Sequence, residues 1–301
     1  MLPNDHEIKV QRALLSLDGL SVGDAFGECF LEEPRRAEYW MEHRQAPPAP
    51  WTFTDDTAMA LSIVRCLKAS AHIENDTLAR AFSKEYAREM WRGYGNMAHK
   101  ILRNIYRGRS WRAAAGEAFG GQGSCGNGGA MRSGPIGAYF AEDLEAVVRE
   151  ARASAEVTHA HPDGQTGAIA VALAAAWMVR EAERAGKPGP ALIECVLEHI
   201  PQTETHQQLK LALEVPVTAS ARTAASRLGN GSRVIASDTV PFCIWCAACH
   251  PDDYAEALWT TVSVGGDIDT NCAIIGGIVA LSAGRKSIPP EWVNARELLK
   301  V

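Results

Sequence analysis

Apolar residues recur along most of this chain at the three-and-four spacing of one helix face, and strand-like alternation is almost absent. In residues 8–20 the apolar face is Val10, Ala13, Leu14 and Leu17. In 57–69 it is Met59, Ala60, Ile63, Val64 and Leu67. The same pattern predicts helices over 76–92, 97–107, 111–119, 135–140, 143–157, 162–185, 191–199, 207–213, 219–227, 240–248, 253–264 and 271–283. Between them stand turn-forming stretches at 46–50, 120–129, 186–190, 229–232 and 288–290. No long linker, internal repeat or low-complexity tract interrupts the series. The expected architecture is all-α, with residues 1–301 as one domain.

Two runs, 168–179 and 273–283, are apolar on every face. Both fall short of the roughly 20 residues needed to span a bilayer, so they read as buried helices. The N-terminus lacks a basic region followed by an apolar run, and no signal peptide is expected. With 47% apolar and 22% charged residues, the 301-residue chain has ample material for a core. A net charge of −6 gives no broad basic surface for nucleic acid, though it leaves room for a nucleotide bound locally. The eight cysteines stand in mostly apolar, scattered settings such as Cys66 and Cys272, as in a reducing cytosol. A cytoplasmic monomer with no membrane partner is expected.

The chemistry concentrates in two distant acidic clusters, Thr54-Asp55-Asp56-Thr57 and Gly265-Gly266-Asp267-Ile268-Asp269-Thr270. Each stands where an apolar run begins. Neighbouring aspartates within a helix point about 100° apart, but at a helix start they can fan around an ion. Thr54 is the expected N-cap of its helix, and capping alone is the competing reading of either cluster. In the second cluster the glycines permit a tight turn. Asp267 and Asp269 would share one side of an extended segment, with Thr270 capping the helix from Asn271. Carboxylate and hydroxyl oxygens are the hard ligands that Mg²⁺ or Mn²⁺ prefer. Two such ions would balance the formal −4 of the four aspartates.

Three further segments carry polar side chains among glycines. Residues 19–28, with Gly23, Asp24, Gly27 and Glu28, predict a backbone bend presenting Asp24 and Glu28; a glycine-mediated helix crossing is the alternative. Seven glycines within 120–134 expose backbone N–H groups suited to a diphosphate, without the P-loop's terminal Lys-Ser/Thr. His159 and His161 lie before Pro162, where they serve as helix punctuation or touch a ligand; no cysteine or further histidine completes a zinc spacing. Cys243, Cys246 and Cys249 lack a fourth ligand and read as small buried side chains on a helix.

Taken in order, GDAFG (Gly23–Gly27), TDDT (Thr54–Thr57), GNGGAMR (Gly126–Arg132), THAHP (Thr158–Pro162) and GGDIDT (Gly265–Thr270) resemble the ADP-ribosylglycohydrolase family. Phrases such as Arg92-Gly-Tyr-Gly95 look like its bacterial branch. The resemblance implies a compact orthogonal multi-helix fold holding two Mg²⁺ or Mn²⁺ ions in a cleft. It also implies cleavage of the bond between C1″ of ADP-ribose and an acceptor on a protein, nucleic acid or small molecule. By motif match, Thr54, Asp55, Asp56, Asp267, Asp269 and Thr270 would be the metal ligands. Ser124, Gly126, Asn127, Gly128, Gly129 and Met131 would embrace the diphosphate and distal ribose. Asp24 and His159 or His161 would complete the ligand contacts. The family often carries a catalytic glutamate seven residues after the GDAxG aspartate, and here that position is Leu31. Glu28 is the expected substitute, ahead of Glu32 and Glu33, with Asp56 as a second proton carrier. The competing expectations are a non-catalytic ADP-ribose-binding or crystallin J1-like structural protein and, more remotely, a dinuclear phosphohydrolase.

Overall fold

The protein is described from a computed structural model that covers residues 4–181 and 189–300. Along the chain come α1 (His6–Glu32), α2 (Pro34–His43), α3 (Asp55–Ser70), α4 (Asn75–Arg88), α5 (Asn96–Tyr106), α6 (Trp111–Gly116), α7 (Gly134–Tyr139) and α8 (Leu144–Glu156). They are followed by α9 (Pro162–Glu181), α10 (Gly189–His199), α11 (Glu204–Leu211), α12 (Ala221–Leu228), α13 (Ala236–Cys249), α14 (Tyr254–Val262), α15 (Ile268–Ala283) and α16 (Pro290–Ala295). Among the described residues no strand forms; the only extended pairings are isolated bridges, Trp51 with Arg296 and Gly126 with Ile235. The all-α expectation holds.

The most extensive helix contact is between α1 and α15. Gly19, Gly23 and Gly27 repeat every fourth residue and form a furrow along α1. A Cβ built on Gly23 would stand 2.1 Å from the Cys272 carbonyl oxygen, and one on Gly19 would stand 2.3 Å from that of Gly276. The two backbones therefore touch. Ser16 Oγ donates to Gly277 O across the same seam at 2.8 Å, and Tyr254 OH donates to Gly19 O at 2.6 Å. Around this pair, α7 and α9 pack on one side, α3 crosses α1, and α13 and α14 cover α15. Helices α9 and α15 are buried on nearly every face, as their uniformly apolar sequences predict. One continuous apolar cluster runs from Val10 to Ala295.

The structure departs from the sequence pattern in several places. The bend predicted within 19–28 is absent, and α1 continues unbroken to Glu32. Glycine weakens an isolated helix, but here its missing side chain admits the neighbouring backbone, and packing overrides propensity. Helix α2 begins with Pro34 at its first position and buries only Ala37 and Trp40, too weak a stripe for the apolar pattern to register. The turn expected at 288–290 leads directly into α16, for which the apolar pattern gave no helix and which drives Trp292 into the aromatic cluster of Phe26, Trp51 and Trp259. Helix α13 starts four residues earlier than predicted and continues through Pro241. The expectations for 182–185, and for the turn at 186–188, lie outside the described residues.

Among the described residues no helix is long and apolar enough to cross a membrane. All eight cysteines are free thiols. Cys243 and Cys246 are fully buried in α13, and burial pushes both thiols above their ordinary range.

Because the furrow admits no side chain, Gly23→Ala should destabilise the protein by about 3 kcal/mol. That would lower Tm by roughly 5 °C. Gly116→Ala, whose new methyl group would meet nothing within 4 Å, should leave Tm unchanged or slightly raised. Thermal unfolding of both variants checks the seam, and equal Tm values would refute it.

Candidate active site

The α1–α15 seam carries the acidic residues to one end of the core. Asp24, fully buried on α1, accepts from the N–H of Thr54 at 3.1 and 3.0 Å on its two oxygens. It also accepts from Thr54 Oγ1 at 2.9 Å, Thr57 N at 3.1 Å and Thr57 Oγ1 at 2.5 Å. This carboxylate thus caps α3 from another helix and takes up N–H groups that a helix start leaves open. Thr54 caps locally as expected, its Oγ1 accepting from Asp56 N at 3.4 Å. The outer side of the turn is pinned by Asp55 N donating to Arg92 O at 2.7 Å. Arg92 is in turn held by Glu89, Glu297, the Phe53 carbonyl and the face of the Phe53 ring. Asp55 and Asp56 can fan apart because they occupy the first turn.

At the start of α15 the geometry differs from expectation. Asp267 occupies the N-cap position and Asp269 lies in the first helical turn, so the pair is not on an extended segment and Thr270 is inside the helix. Gly266 makes the approach possible: its φ is +81°, and an added Cβ would be 2.0 Å from Asn230 O. Asn230 O accepts from Asp267 N at 3.2 Å and from Asn271 Nδ2 at 2.7 Å. Asn127 Nδ2 then reaches across from the glycine-rich loop to Asp267 Oδ2 at 2.6 Å and to Thr239 Oγ1 at 3.0 Å.

These carboxyls face one another in a poorly hydrated place, and all are pushed above their ordinary range. Burial is the first cause, and mutual repulsion is the next major one for most of them. Asp55 and Asp56 are raised well above it, Asp267 to about 7 and Asp269 to about 6. Asp24 rises to about 6 by burial despite its hydrogen bonds. Glu28, half-buried one turn beyond Asp24, rises to about 8 through burial and then the charges of Asp269, Asp24, Glu32 and Asp267. Two oxygens, Asp56 Oδ1 and Asp269 Oδ1, are buried without a hydrogen-bond partner among the described residues. Orphaned buried carboxylate oxygens are costly, and a hard divalent cation suits both them and the surrounding oxygen donors. Among the described residues no three His, Cys, Asp or Glu side chains already stand at ligand spacing. Coordination would require these side chains to draw closer around the ion. The donor set therefore fits Mg²⁺ or Mn²⁺, with Asp55, Asp56, Asp267, Asp269 and Thr270 on the wall of the cleft.

That cleft has a volume of about 440 Å³. Its opposite wall is the loop Ser124–Gly128 with Met131, backed by His159. Gly123, with φ +79°, lets the loop lie against the segment before α9, since a Cβ there would be 2.5 Å from His161 N. Phe119 and Val234 line the cleft as well; both are over half exposed and both are non-glycine residues with positive φ. The β-branched Val234 in that region is strained backbone of the kind that clusters at functional sites.

Most of the expected site residues meet in this cleft: Asp55, Asp56, Ser124, Gly126, Asn127, Gly128, Met131, His159, Asp267, Asp269 and Thr270. Five do not line it. Asp24 is consumed in capping α3 rather than offered to a ligand. The Thr54 hydroxyl is engaged by Asp24 and Asp56. Gly129 lies under the loop against Gly164. His161 is turned toward Asp163, whose N–H it accepts at 3.1 Å. Glu28 sits behind Asp269, with Leu31 exposed one turn further on. Residue order alone assigned no role to Asn230, Asn271 or Thr158. Asn230 and Asn271 act through backbone contacts that no spacing announces, whereas Thr158 stood inside a quoted motif.

A pH dependence follows from these shifts. His159 is held down to about 3 by burial and the nearby Arg132 charge, so below the ordinary histidine range its neutral burial costs stability. Above about pH 6.5 that contribution is complete. From there to pH 8 the native state keeps carboxyl protons that the unfolded chain has released, so stability must fall as pH rises. The loss should be roughly 1 kcal/mol per pH unit for each proton retained. In EDTA, Tm should drop between pH 6.5 and 8, and millimolar Mg²⁺ or Mn²⁺ should restore it. A flat profile would contradict the carboxyl cluster.

Comparison with known proteins shows the family. The family described as ADP-ribosylglycohydrolase matches residues 5–300. Over 277 residues the chain is 30% identical to ADP-ribosylhydrolase ARH3 of Bos taurus, covering 81% of this chain and 74% of that protein. The ARH3 of Homo sapiens has the same identity and coverage. ADP-ribosyl-[dinitrogen reductase] glycohydrolase of Rhodospirillum rubrum is 25% identical over 298 residues, covering 95% of this chain and 90% of its own. A solved structure titled "ADP-ribosylglycohydrolase-related protein complex" shares the fold, with a TM-score of 0.66 at 24% identity over 97% of this chain and 94% of that one. With its acidic clusters, glycine loop and histidine segment gathered around one cleft, this chain belongs to the ADP-ribosylglycohydrolase family.

Proposed function

We propose that this protein is a divalent-cation-dependent hydrolase that cleaves the bond between C1″ of ADP-ribose and an acceptor, releasing ADP-ribose. The observation that carries this reading is the meeting, in one cleft, of Asp55, Asp56, Asp267 and Asp269 with a glycine-rich loop. The acidic end suits cations and ribose hydroxyls, and the loop suits a diphosphate. The names of the relatives, an ADP-ribosylhydrolase and an ADP-ribosyl glycohydrolase, support ADP-ribose as the ligand.

Mg²⁺ or Mn²⁺ held by Asp55, Asp56, Asp267, Asp269 and Thr270 would supply Lewis-acid polarisation of substrate oxygens and of water. The chain's own residues do the rest. Asp24 and Asn127 tie down the two acidic turns, so the backbone that carries the carboxylates is set before a ligand enters. The carboxylates also stabilise positive charge developing at C1″ as the bond to the acceptor breaks. Glu28 retains its proton near neutral pH, as a group that protonates a leaving acceptor must. Asp56, with one oxygen free, is the second candidate for handling a proton. Leu31 at the position where the family often carries glutamate favours one competing reading, a protein that binds ADP-ribose without cleaving it.

Chemically defined ADP-ribosylated substrates separate the two. Release of free ADP-ribose with Mg²⁺ or Mn²⁺, abolished by EDTA and by Asp55→Ala or Asp267→Ala, is expected. Those substitutions should cost on the order of a hundredfold or more in turnover. Binding of ADP-ribose with no release from any acceptor would establish the binding protein instead. Within the hydrolase reading, Glu28→Gln should lower kcat about a hundredfold with ADP-ribose affinity nearly intact. Leu31→Ala should leave both unchanged. Full activity in Glu28→Gln would remove Glu28 from the mechanism.

A further inference from the structure

Arg132 presents a puzzle. Its side chain is 1% exposed, yet among the described residues no carboxylate pairs with it. The guanidinium lies over the Phe82 ring at 4.5 Å, and Nη1 approaches Met59 Sδ at 3.4 Å. Nη2 donates to Ser154 O at 3.0 Å and to Thr158 Oγ1 at 2.8 Å, while Nε has no partner among the described residues. Burying an arginine on these terms is expensive, so its placement calls for a function.

Thr158 supplies one. Its hydroxyl oxygen has two neighbours, Arg132 Nη2 and His159 Nδ1, the latter at 2.7 Å. Arginine has only donors, so Thr158 Oγ1 must accept there. The single hydroxyl proton is then free to donate to His159 Nδ1. The opposite assignment would aim an Nδ1–H at the same oxygen and leave the buried hydroxyl proton without an acceptor, which costs about 1–3 kcal/mol. Nδ1 is therefore an acceptor, and the ring proton must reside on Nε2. The neighbouring guanidinium charge also opposes a second ring proton.

His159 Nε2 has no hydrogen-bond partner within the described protein. It lies alongside the glycine loop: Cβ atoms built on Gly126 and Gly128 would each be 3.5 Å from it. His159 lines the cleft there, with Ser124 and Arg132.

We propose that Arg132 and Thr158 are positioning residues, a two-step hydrogen-bond relay that fixes His159 as its Nε2–H tautomer and so presents a pre-set donor to a phosphate oxygen of the ligand in the glycine loop. The relay transfers no proton; it selects which ring nitrogen carries one. A donor fixed before binding loses less on binding than one that must first change tautomer. An uncharged donor also spares the buried wall a second cation beside Arg132. The phosphate partner rests on the ADP-ribose reading above, whereas the tautomer does not.

The test uses the full chain with ¹⁵N-labelled histidine. Long-range ¹H–¹⁵N spectra of the ligand-free protein at neutral pH read the tautomer directly, with His159→Gln assigning the signal. Wild type and Thr158→Ser should show the Nε2–H form. The isosteric Thr158→Val should shift the ring toward the Nδ1–H form or a mixture. Calorimetry with ADP-ribose should show about tenfold weaker binding for Thr158→Val and affinity within about twofold of wild type for Thr158→Ser. An Nδ1–H or doubly protonated ring in the wild type overturns the relay without any variant having to fold. A Thr158→Val protein with unchanged tautomer and affinity overturns it as well. Wild type that shows the expected tautomer but binds no ADP-ribose would instead refute the ligand, and the phosphate contact with it.

Discussion

Everything at the acidic end of this molecule depends on how closely α1 approaches α15. The helices meet backbone to backbone along Gly19, Gly23 and Gly27, and that contact sets Asp24 and Glu28 beside the first turn of α15. A wider separation, such as ordinary side chains would impose, would leave Asp24 too far from one partner cluster or the other. Asp24 then ties α3 into the same corner through four donors. Residues more than two hundred positions apart thus share a cleft because one furrow carries no side chains.

The same corner is electrostatically unfavourable when alone. Five aspartates and Glu28 crowd together in a poorly hydrated place, all pushed toward their protonated forms, and two carboxylate oxygens lack any partner. A protein tolerates such a cluster when the surrounding packing over-determines it. Here the fully buried α9 and α15, and the aromatic cluster around Phe26 and Trp292, supply that rigidity. The strain at Val234 and the uncompensated Arg132 lie around the same cleft. The unfavourable features of this molecule are concentrated where a ligand would be held.

The two walls differ in kind. The acidic wall is built from the starts of α3 and α15, and at the α3 start the N–H groups are taken up by Asp24 and Thr54. The opposite wall is a loop of backbone and small side chains laid over a histidine. Asn127 joins them, standing in the loop and holding Asp267.

Helical class, the buried nature of 168–179 and 273–283, and the acidic, glycine and histidine segments could all be read from residue order. Periodicity, capping chemistry and motif spacing are local properties of the chain. What residue order left open was decided by contacts between distant segments. Glycines that by local propensity predict a bend became a straight helix because another backbone fills the space. An aspartate that looked available to a ligand is spent on the start of α3, and α2 and α16 exist because Trp40 and Trp292 find the core. The proton on His159 is assigned by an arginine and a threonine whose meeting only the folded chain reveals. The sequence determined which chemistry the chain carries; the tertiary structure decided which groups face the cleft, because hydrogen-bond saturation and steric exclusion are properties of neighbours in space.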